Sequence, residues 1–274
     1  MTLITLPARR SRRRQTRVRR PARPLPPAIT APYVAIESPI THVVVAVPAR
    51  NEAASITACL DSIDLAAAAC GRSVIAVVAA DTCVDATADI ARRRTPECAT
   101  TLVVEGSWRS ASGARGAAVA AGLAAIGELL APSVWIANTD ADCVVPVDWL
   151  RRQLHHCGQV GVAVAGIVRL DESCTHPSVA AGFAALYDAD GPLHRHVHGA
   201  NLGLRADAYE VAGGWRPHTV VGEEHDLWRR LARGGVARVQ PTDVVVTTSG
   251  RRRGRTRGGF ASNLLRLERA LCDD

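Results

Sequence analysis

The sequence contains no lysine, few aromatic residues and no long apolar run. All 33 basic residues are arginine, and aromatic residues make up 4% of the 274 positions, whereas 47% are hydrophobic. We therefore expect a sizeable core built mainly from alanine, valine and leucine, in one large domain or two small ones. No apolar run approaches the roughly 18–20 residues needed to cross a bilayer. The N-terminus also lacks the apolar core of a secretory signal, which predicts a cytoplasmic protein.

The cysteines form no recognisable metal or disulfide framework. None of the eight pairs with another as C-x-x-C, and their spacing is not that of a zinc site. Without a secretory signal, this pattern is typical of reduced thiols in the cytosol. Several lie among alanine and valine, which predicts small core residues.

Two phosphate-binding loops are also missing. The first apolar run is not followed by Gly-x-Gly-x-x-Gly, and no Gly-x-x-x-x-Gly-Lys-Ser/Thr loop occurs anywhere. The first absence argues against a nicotinamide-dependent dehydrogenase, and the second against a P-loop NTPase.

The net charge of +7 comes mainly from one end of the chain. Residues 1–24 carry nine arginines and no acid, whereas the rest has 24 arginines against 26 acids. Together with its prolines, this composition predicts a disordered arm over 1–40, either a dispensable extension or a weak peripheral contact with anionic lipid. No aromatic stacking platform accompanies the arm, so we expect no specific nucleic-acid partner.

The folded part begins near residue 41 and alternates apolar runs with helical patterns. Because polar residues follow each run, the order predicts parallel β-α-β units with right-handed crossovers in an α/β sheet of the Rossmann type, flanked by helices. We place the four strands at 43–47, 74–80, 101–104 and 133–137, with helices ending near 63, 94 and 130.

The second half of the sequence is less regular. The glycine pair at 234–235 is typical of a helix end, and we expect that helix to begin at 223 with acids in its first turn. We predict strands at 160–168, 198–205, 236–239 and 244–247, helices at 177–187 and 206–211, and an Arg-rich loop and final helix over 251–274.

Two carboxylates one residue apart, Asp140 and Asp142, directly follow the fourth predicted strand. Side chains at positions i and i+2 leave an extended backbone on the same side, so their oxygens can reach one point. Mg²⁺ and Mn²⁺ prefer such oxygen ligands, and ligands bind at the carboxyl edge of open α/β sheets. A solvated turn before the next helix is the plainer alternative.

Five segments occur in an order that resembles family 2 glycosyltransferases of the GT-A fold, over about residues 42–235. They are Val-Pro-Ala-Arg-Asn-Glu at 47–52, the Asp-rich loop at 81–87, Asn-Thr-Asp-Ala-Asp at 138–142, Gly-Ala-Asn-Leu-Gly-Leu-Arg at 199–205 followed by Gly-Gly-Trp at 213–215, and Gly-Glu-Glu-His-Asp-Leu at 222–227. The resemblance implies a nucleotide-binding half over 41–143 and an acceptor half over 144–250, together forming one domain.

The resemblance implies a metal-dependent transfer of a sugar from a nucleotide-sugar donor to a hydroxyl acceptor. Asp140 and Asp142 would hold a divalent cation, Mg²⁺ or Mn²⁺. Donor contacts would come from Pro48, Arg50, Asn51, Glu52, Asp81, Arg115, Asp140 and Asn201. The plainer alternatives are a first-turn helix acid for Glu52, a turn residue for Asp81 and a surface helix residue for Arg115.

Glu224 is the predicted general base of an inverting displacement, with Glu223 and Asp226 beside it. A carboxylate can take the acceptor proton if it lies within about 3 Å of the hydroxyl. A helix-capping acid cluster is the alternative. We expect His198, like Asn201, on the acceptor or sugar side.

The sequence departs from the family at two places. Cys83 stands where the family often has serine, and the segment at 247–252 lacks the histidine that many relatives supply as an extra metal ligand. The arginines at 251–257 either contact an anion, by closing over the donor diphosphate or binding an anionic acceptor, or form a solvated loop.

Two other enzyme classes remain open. A retaining transferase resembling glucosyl-phosphoglycerate synthases would use the acid cluster to orient substrate. A nucleotidyltransferase would also use acidic metal ligands, but the turn at 48–52 lacks the glycines of its usual loop.

Overall fold

A computed structural model describes residues 33, 38–127, 131–159, 162–171, 177–185, 192–217 and 222–250. The Arg-rich arm at 1–24, the arginine cluster at 251–257 and the predicted final helix lie outside the described residues. The strands are β1 His42–Ala49, β2 Ser73–Asp81, β3 Ala99–Gly106, β4 Val134–Asn138, β5 Cys143–Val144, β6 Ala163–Ala165, β7 Ile167–Leu170, β8 Leu202–Arg205, β9 Arg238–Val239 and β10 Val245–Thr248. The helices are α1 Ile56–Cys70, α2 Thr87–Arg93, α3 Ala111–Ile126, α4 Trp149–Gln159, α5 Pro177–Ala185, α6 Ala206–Val211 and α7 Glu223–Arg233.

A seven-stranded sheet with the order β3-β2-β1-β4-β8-β6-β9 organises the described part of the chain. The first four strands are parallel, β8 runs antiparallel to both its neighbours, and β9 is parallel to β6. A smaller sheet has the order β5-β10-β7. The predicted α/β class with a mostly parallel central sheet and flanking helices is confirmed.

Strand β1 is covered on both faces, as its unbroken run of apolar residues predicts. Val43 and Val45 belong to the same buried cluster as α1, whereas Val44 belongs to the cluster that contains α3. A Cβ at Gly122 would lie 2.4 Å from a Val44 methyl carbon, so glycine is what lets α3 approach the sheet. Small residues in α3 therefore compensate for the scarcity of aromatics by close packing.

Two predicted elements need correction. The single strand predicted at 160–168 is two strands, β6 and β7, in different sheets. The strand is interrupted at Gly166. A Cβ there would lie 2.3 Å from the side-chain nitrogen of Asn201 and 2.4 Å from the Val244 carbonyl oxygen. Helix α1 begins at Ile56 and ends at Cys70, later at both ends than predicted.

None of the helices in the described ranges combines the length and the apolar character that a membrane crossing requires.

Candidate functional site

The loops that follow β1 and β2 are tied to each other at the carboxyl edge of the sheet. Asn51 accepts a hydrogen bond on Oδ1 from the Val84 amide (2.8 Å), and its own amide donates to Cys83 Sγ (3.3 Å). The Glu52 amide donates to Thr87 Oγ1 (2.7 Å). Cys83 therefore accepts a hydrogen bond from the loop after β1 on its sulfur, at the position where the family often has serine.

Asp85 completes this connection. It accepts from the Ala53 amide on one oxygen and from the Thr87 amide on the other, both at 3.0 Å. Asp85 belongs to the Asp-rich loop at 81–87 and holds the two loops together. The signal was present in the Asp-x-Thr spacing, which is typical of a side chain that bonds its own backbone two residues on.

Two predicted nucleoside contacts, Glu52 and Asp81, are buried at the ends of neighbouring strands. Ser55 Oγ donates to Glu52 Oε2 (3.1 Å), and the Arg109 amide donates to Asp81 Oδ1 (2.9 Å). Pro48 is half-buried in the last part of β1, and Arg50 is exposed. The structure therefore places the five residues of the predicted nucleoside pocket at the ends of β1 and β2 and in the loop after β1.

Non-glycine residues with a positive φ occur only beside these strand ends in the described part of the chain. They are Asn51 (φ 55), Thr82 (φ 51) and Arg109 (φ 54). Each follows one of the three neighbouring strands β1, β2 and β3. Left-handed backbone at such residues costs about 1–3 kcal/mol each and tends to cluster at functional sites.

Asp140 and Asp142 lie together at the end of β4, as predicted. Their carboxylate oxygens and the Cys143 sulfur all lie within 4.8 Å of one another. Burial, followed by the charges of the two aspartates, raises the pKa of the Cys143 thiol well above its usual value. The two carboxylates offer hard oxygen ligands, and these donors fit a hard divalent cation such as Mg²⁺ or Mn²⁺.

Ser249 lies where the sequence lacks the family's histidine. Its Oγ donates to Asp142 Oδ2 (2.8 Å), and its amide donates to the Asp142 carbonyl (3.2 Å). The residue follows β10, which pairs with β5 beside the aspartates. Sequence reasoning missed this contact, because it depends on strand pairing between positions more than 100 residues apart.

Arg115 is not the surface helix residue that the plainer interpretation expected, because its side chain is only 4% exposed. Its Nη2 lies 2.5 Å from Asp140 Oδ1, and its Nη1 donates to Glu223 Oε1 at 2.9 Å. The guanidinium thus joins the aspartate pair to the acid cluster. A signal was available, since Arg115 is the only charged residue in the sixteen of α3, and such isolation favours a buried partner.

The three acids at the start of α7 have different surroundings. Glu223 is paired with Arg115, and Asp226 accepts from Arg230 Nε (2.9 Å). Glu224 makes no ion pair with any residue that the structure describes. Burial, followed by the charge of Glu223, raises the pKa of Glu224 to about 7. Of the three, Glu224 is therefore the acid suited to exchange a proton near neutral pH.

Asn201 does not face the sugar or the acceptor, which corrects our expectation. It is fully buried, accepts from Trp149 Nε1 (2.9 Å), and donates to the carbonyls of Ile167 (2.8 Å) and Val244 (3.0 Å). Since both ends of the amide are engaged, Asn201 fixes the framework between α4, β7 and β10. It was mistaken for a ligand contact because a buried asparagine and a binding asparagine look alike in sequence.

His198 lies at the end of a row of three imidazoles. Its ring stacks on His196 at 6.0 Å, and His196 stacks on His194 at 6.1 Å. Burial, followed by the neighbouring histidines, lowers the pKa of His198 to about 3. The His198 imidazole is therefore neutral. The next residue, Gly199, lies against the Arg115 guanidinium.

The fold resembles that of GT-A-type glycosyltransferases. In structure, the chain is similar to TarS residues 1–349 from S. aureus in complex with UDP-GlcNAc (TM-score 0.59, 12% identity, covering 85% of this chain and 65% of that one). It is also similar to the mannosyltransferase PcManGT from Pyrobaculum calidifontis in complex with GDP-Man and Mn²⁺ (TM-score 0.58, 23% identity, covering 84% and 62%). The chain thus spans less than two thirds of the length of either structure.

The family model described as "Glycosyltransferase like family 2" matches residues 39–266. Since this is most of the chain, the protein belongs to that family, and the predicted resemblance is confirmed. No curated protein matches the chain.

Proposed function

We propose that the protein is a metal-dependent glycosyltransferase that moves a sugar from a nucleotide-sugar donor to a hydroxyl acceptor with inversion. The observation that carries this proposal is the convergence of Asp140, Asp142 and the Glu223–Glu224 pair at one edge of the sheet, joined through Arg115. The reaction requires carboxylates that bind a cation and a further carboxylate that accepts the proton of the acceptor hydroxyl.

The donor nucleoside binds in the loops after β1 and β2. The buried carboxylates of Glu52 and Asp81 can accept hydrogen bonds from ribose hydroxyls or the base. The positive φ of Asn51 and Thr82 supports a site here, because strained backbone persists where the surroundings hold it for function. UDP-GlcNAc and GDP-Man, which the similar structures contain, are both nucleoside diphosphate sugars.

Asp140 and Asp142 would hold the divalent cation through oxygen. When bound, a divalent cation acts as a Lewis acid that neutralises the charge growing on the departing diphosphate. The similar structure of PcManGT contains Mn²⁺, which supports a metal of this kind. Cys143 lies beside the two aspartates, and further oxygen ligands would come from the diphosphate or water.

Glu224 acts as the general base. The acceptor hydroxyl attacks the anomeric carbon as its proton passes to Glu224, and the bond from that carbon to the diphosphate oxygen breaks. A nucleoside diphosphate leaves, and the new glycosidic bond has the opposite configuration. The pKa of Glu224, raised to about 7, makes the carboxylate a stronger base than an exposed glutamate.

Thermal-shift measurements with nucleoside diphosphates, with and without Mn²⁺, test this proposal. We expect one diphosphate to raise the melting temperature, and Mn²⁺ to increase that shift. With the matching nucleotide sugar, slow hydrolysis should release a nucleoside diphosphate. Absence of any metal-dependent shift across uridine, guanosine, adenosine and thymidine diphosphates would contradict the proposal, as would release of pyrophosphate.

A further inference from the structure

The Arg115 side chain crosses between the two halves of the domain. It starts on α3 in the nucleotide-binding half and contacts Asp140 at the end of β4. Its other contact, Glu223, is the first residue of α7, which is 108 positions away in the sequence. In the described part of the chain, it is the only side chain that forms ion pairs with both acidic groups of the site.

The protein surrounds this guanidinium closely. A Cβ at Gly199 would lie 2.7 Å from Arg115 Cζ and from both terminal nitrogens, so the group rests directly on the glycine backbone. The Trp215 ring centroid lies 5.4 Å from Cζ, a distance at which a cation interacts with an aromatic face. These contacts fix a planar fork in one orientation, which a lysine ammonium cannot reproduce.

We propose that Arg115 is a positioning residue that holds Asp140 and Glu223 at once, and so sets the metal-binding aspartates in register with the acid pair that contains Glu224. The inference rests on the proposed function. Arg115 donates to Oδ1 of Asp140, which would hold the cation together with Asp142. Hydrogen-bonding partners of this kind orient metal ligands, and their removal typically weakens metal binding about 10- to 100-fold.

The formal charges agree with this role. Arg115 carries one positive charge among the carboxylates of Asp140, Asp142, Glu223 and Glu224, so the five groups sum to −3 when Glu224 is ionised. The site therefore keeps a net negative charge that attracts a cation. Arg115 therefore lowers the repulsion among the acids but does not neutralise the negative charge that attracts a metal.

The chain offers a matched control for Arg115. Arg205 is also a buried arginine (its side chain is 6% exposed), and its Nη2 lies 2.5 Å from Asp207 at the start of α6. Both Nε and Nη2 of Arg205 donate to Asp207, which also accepts from Tyr33 and is not one of the acids of the site. Loss of Arg205 therefore removes a buried ion pair that involves a different carboxylate.

Titration calorimetry of Mn²⁺ into the full-length protein without donor tests the inference, with circular dichroism as a check on folding. We expect Arg115→Met to weaken Mn²⁺ binding about 10- to 100-fold. Arg115→Lys should fall between wild type and Arg115→Met, because one ammonium can hold only one of the two carboxylates. Arg205→Met should lower the melting temperature and leave the Mn²⁺ affinity unchanged.

Gly199→Ala tests the same point with the arginine still present. The new methyl group would overlap the guanidinium and displace it from its present position. We therefore expect weaker Mn²⁺ binding and a lower kcat, with a smaller change in the donor KM. This variant also serves if Arg115→Met fails to fold.

Three results would overturn the inference. One is wild-type Mn²⁺ affinity in a folded Arg115→Met or Gly199→Ala protein, and another is an equal loss in Arg205→Met. In both cases the metal site would stand and only the role of Arg115 would fail. The third is a wild-type protein that does not bind Mn²⁺, which would overturn the proposed metal site together with this inference.

Discussion

Two regions of the candidate site hold their residues by different means. In the loops after β1 and β2, neutral hydrogen bonds fix Asn51 and Glu52, with partners about 35 positions away. At the centre of the site, ion pairs of Arg115 span up to 108 positions and fix charged groups. The first arrangement tolerates neutral substitutions better, because a neutral hydrogen bond contributes about 1 kcal/mol, whereas an unpaired buried charge costs about 3–5 kcal/mol.

The sharpest test of the charged region is Glu224→Gln. If Glu224 is the base, the variant should lose about 10²- to 10⁴-fold in kcat, because glutamine cannot take a proton. The matched control is Asp226→Asn, whose partner is Arg230 on the same helix. We expect that control to keep most of its activity; an equal loss in both variants would indicate a helix-capping cluster instead of a base.

The same substitution predicts a dependence of stability on pH. The folded protein raises the pKa of Glu224 from 4.5 to about 7, so folding favours the protonated form. The stabilisation that comes from protonating Glu224 is fully present below 4.5, the pKa in the unfolded chain, and it is lost as the pH rises through about 7. At pH 8, Glu224→Gln should therefore unfold at a higher temperature than wild type, by about 2–4 °C for a gain on the order of 1 kcal/mol.

The activity of the wild type should rise with pH through about 7 and then level off, because the base must be ionised. A pH profile of kcat/KM measures this, because kcat/KM reports the pKa values of the free enzyme. A flat profile between pH 5.5 and 8.5 would contradict the assignment of Glu224.

Asp142→Ala removes one carboxylate from the proposed cation site. We expect kcat to fall about 10²- to 10³-fold, as when one group that stabilises the leaving charge is lost. Mn²⁺ should also no longer shift the melting temperature. Retention of both activity and the Mn²⁺ shift would show that these aspartates only form a turn.

Asn201→Ala tests the framework between the two regions. The substitution removes the acceptor of the Trp149 indole N–H and one donor to the carbonyls of Ile167 and Val244, although the Val244 carbonyl still accepts from the Ile167 amide. Each buried group left unsatisfied costs about 1–3 kcal/mol. We expect a lower free energy of unfolding in urea, with the donor KM unchanged at a temperature where the variant is folded. A large change in KM without loss of stability would restore Asn201 to the donor site.

The smallest effect should come from Ser249→Ala, which removes one hydrogen bond to Asp142. We expect Mn²⁺ affinity to change by less than about tenfold, since one hydrogen bond contributes about 1 kcal/mol. Calorimetry compares this variant with Asp142→Ala, and an equal loss in the two would make Ser249 a ligand in its own right.

Sequence patterns predicted the parallel part of the sheet well. The apolar run at 43–47 and the polar turn after it carry their own signal, because a strand buried on both faces must be apolar throughout. The break at Gly166 could not be predicted, because it depends on Asn201 and Val244 occupying the space of a side chain. The sequence shows the acid pair at 223–224. It does not show that Glu223 pairs with Arg115, whereas Glu224 has the raised pKa.

What the sequence by itself determined is the order of strands and helices and the identity of the acidic motifs, because periodicity and strand-end position are local properties. Only the tertiary structure decided which groups meet. Arg115 became a link between Asp140 and Glu223, and Asn201 became part of the framework, because burial and partners depend on residues distant in the chain. The chemistry of an ionisable side chain depends on its neighbours, and those neighbours are brought together only by folding.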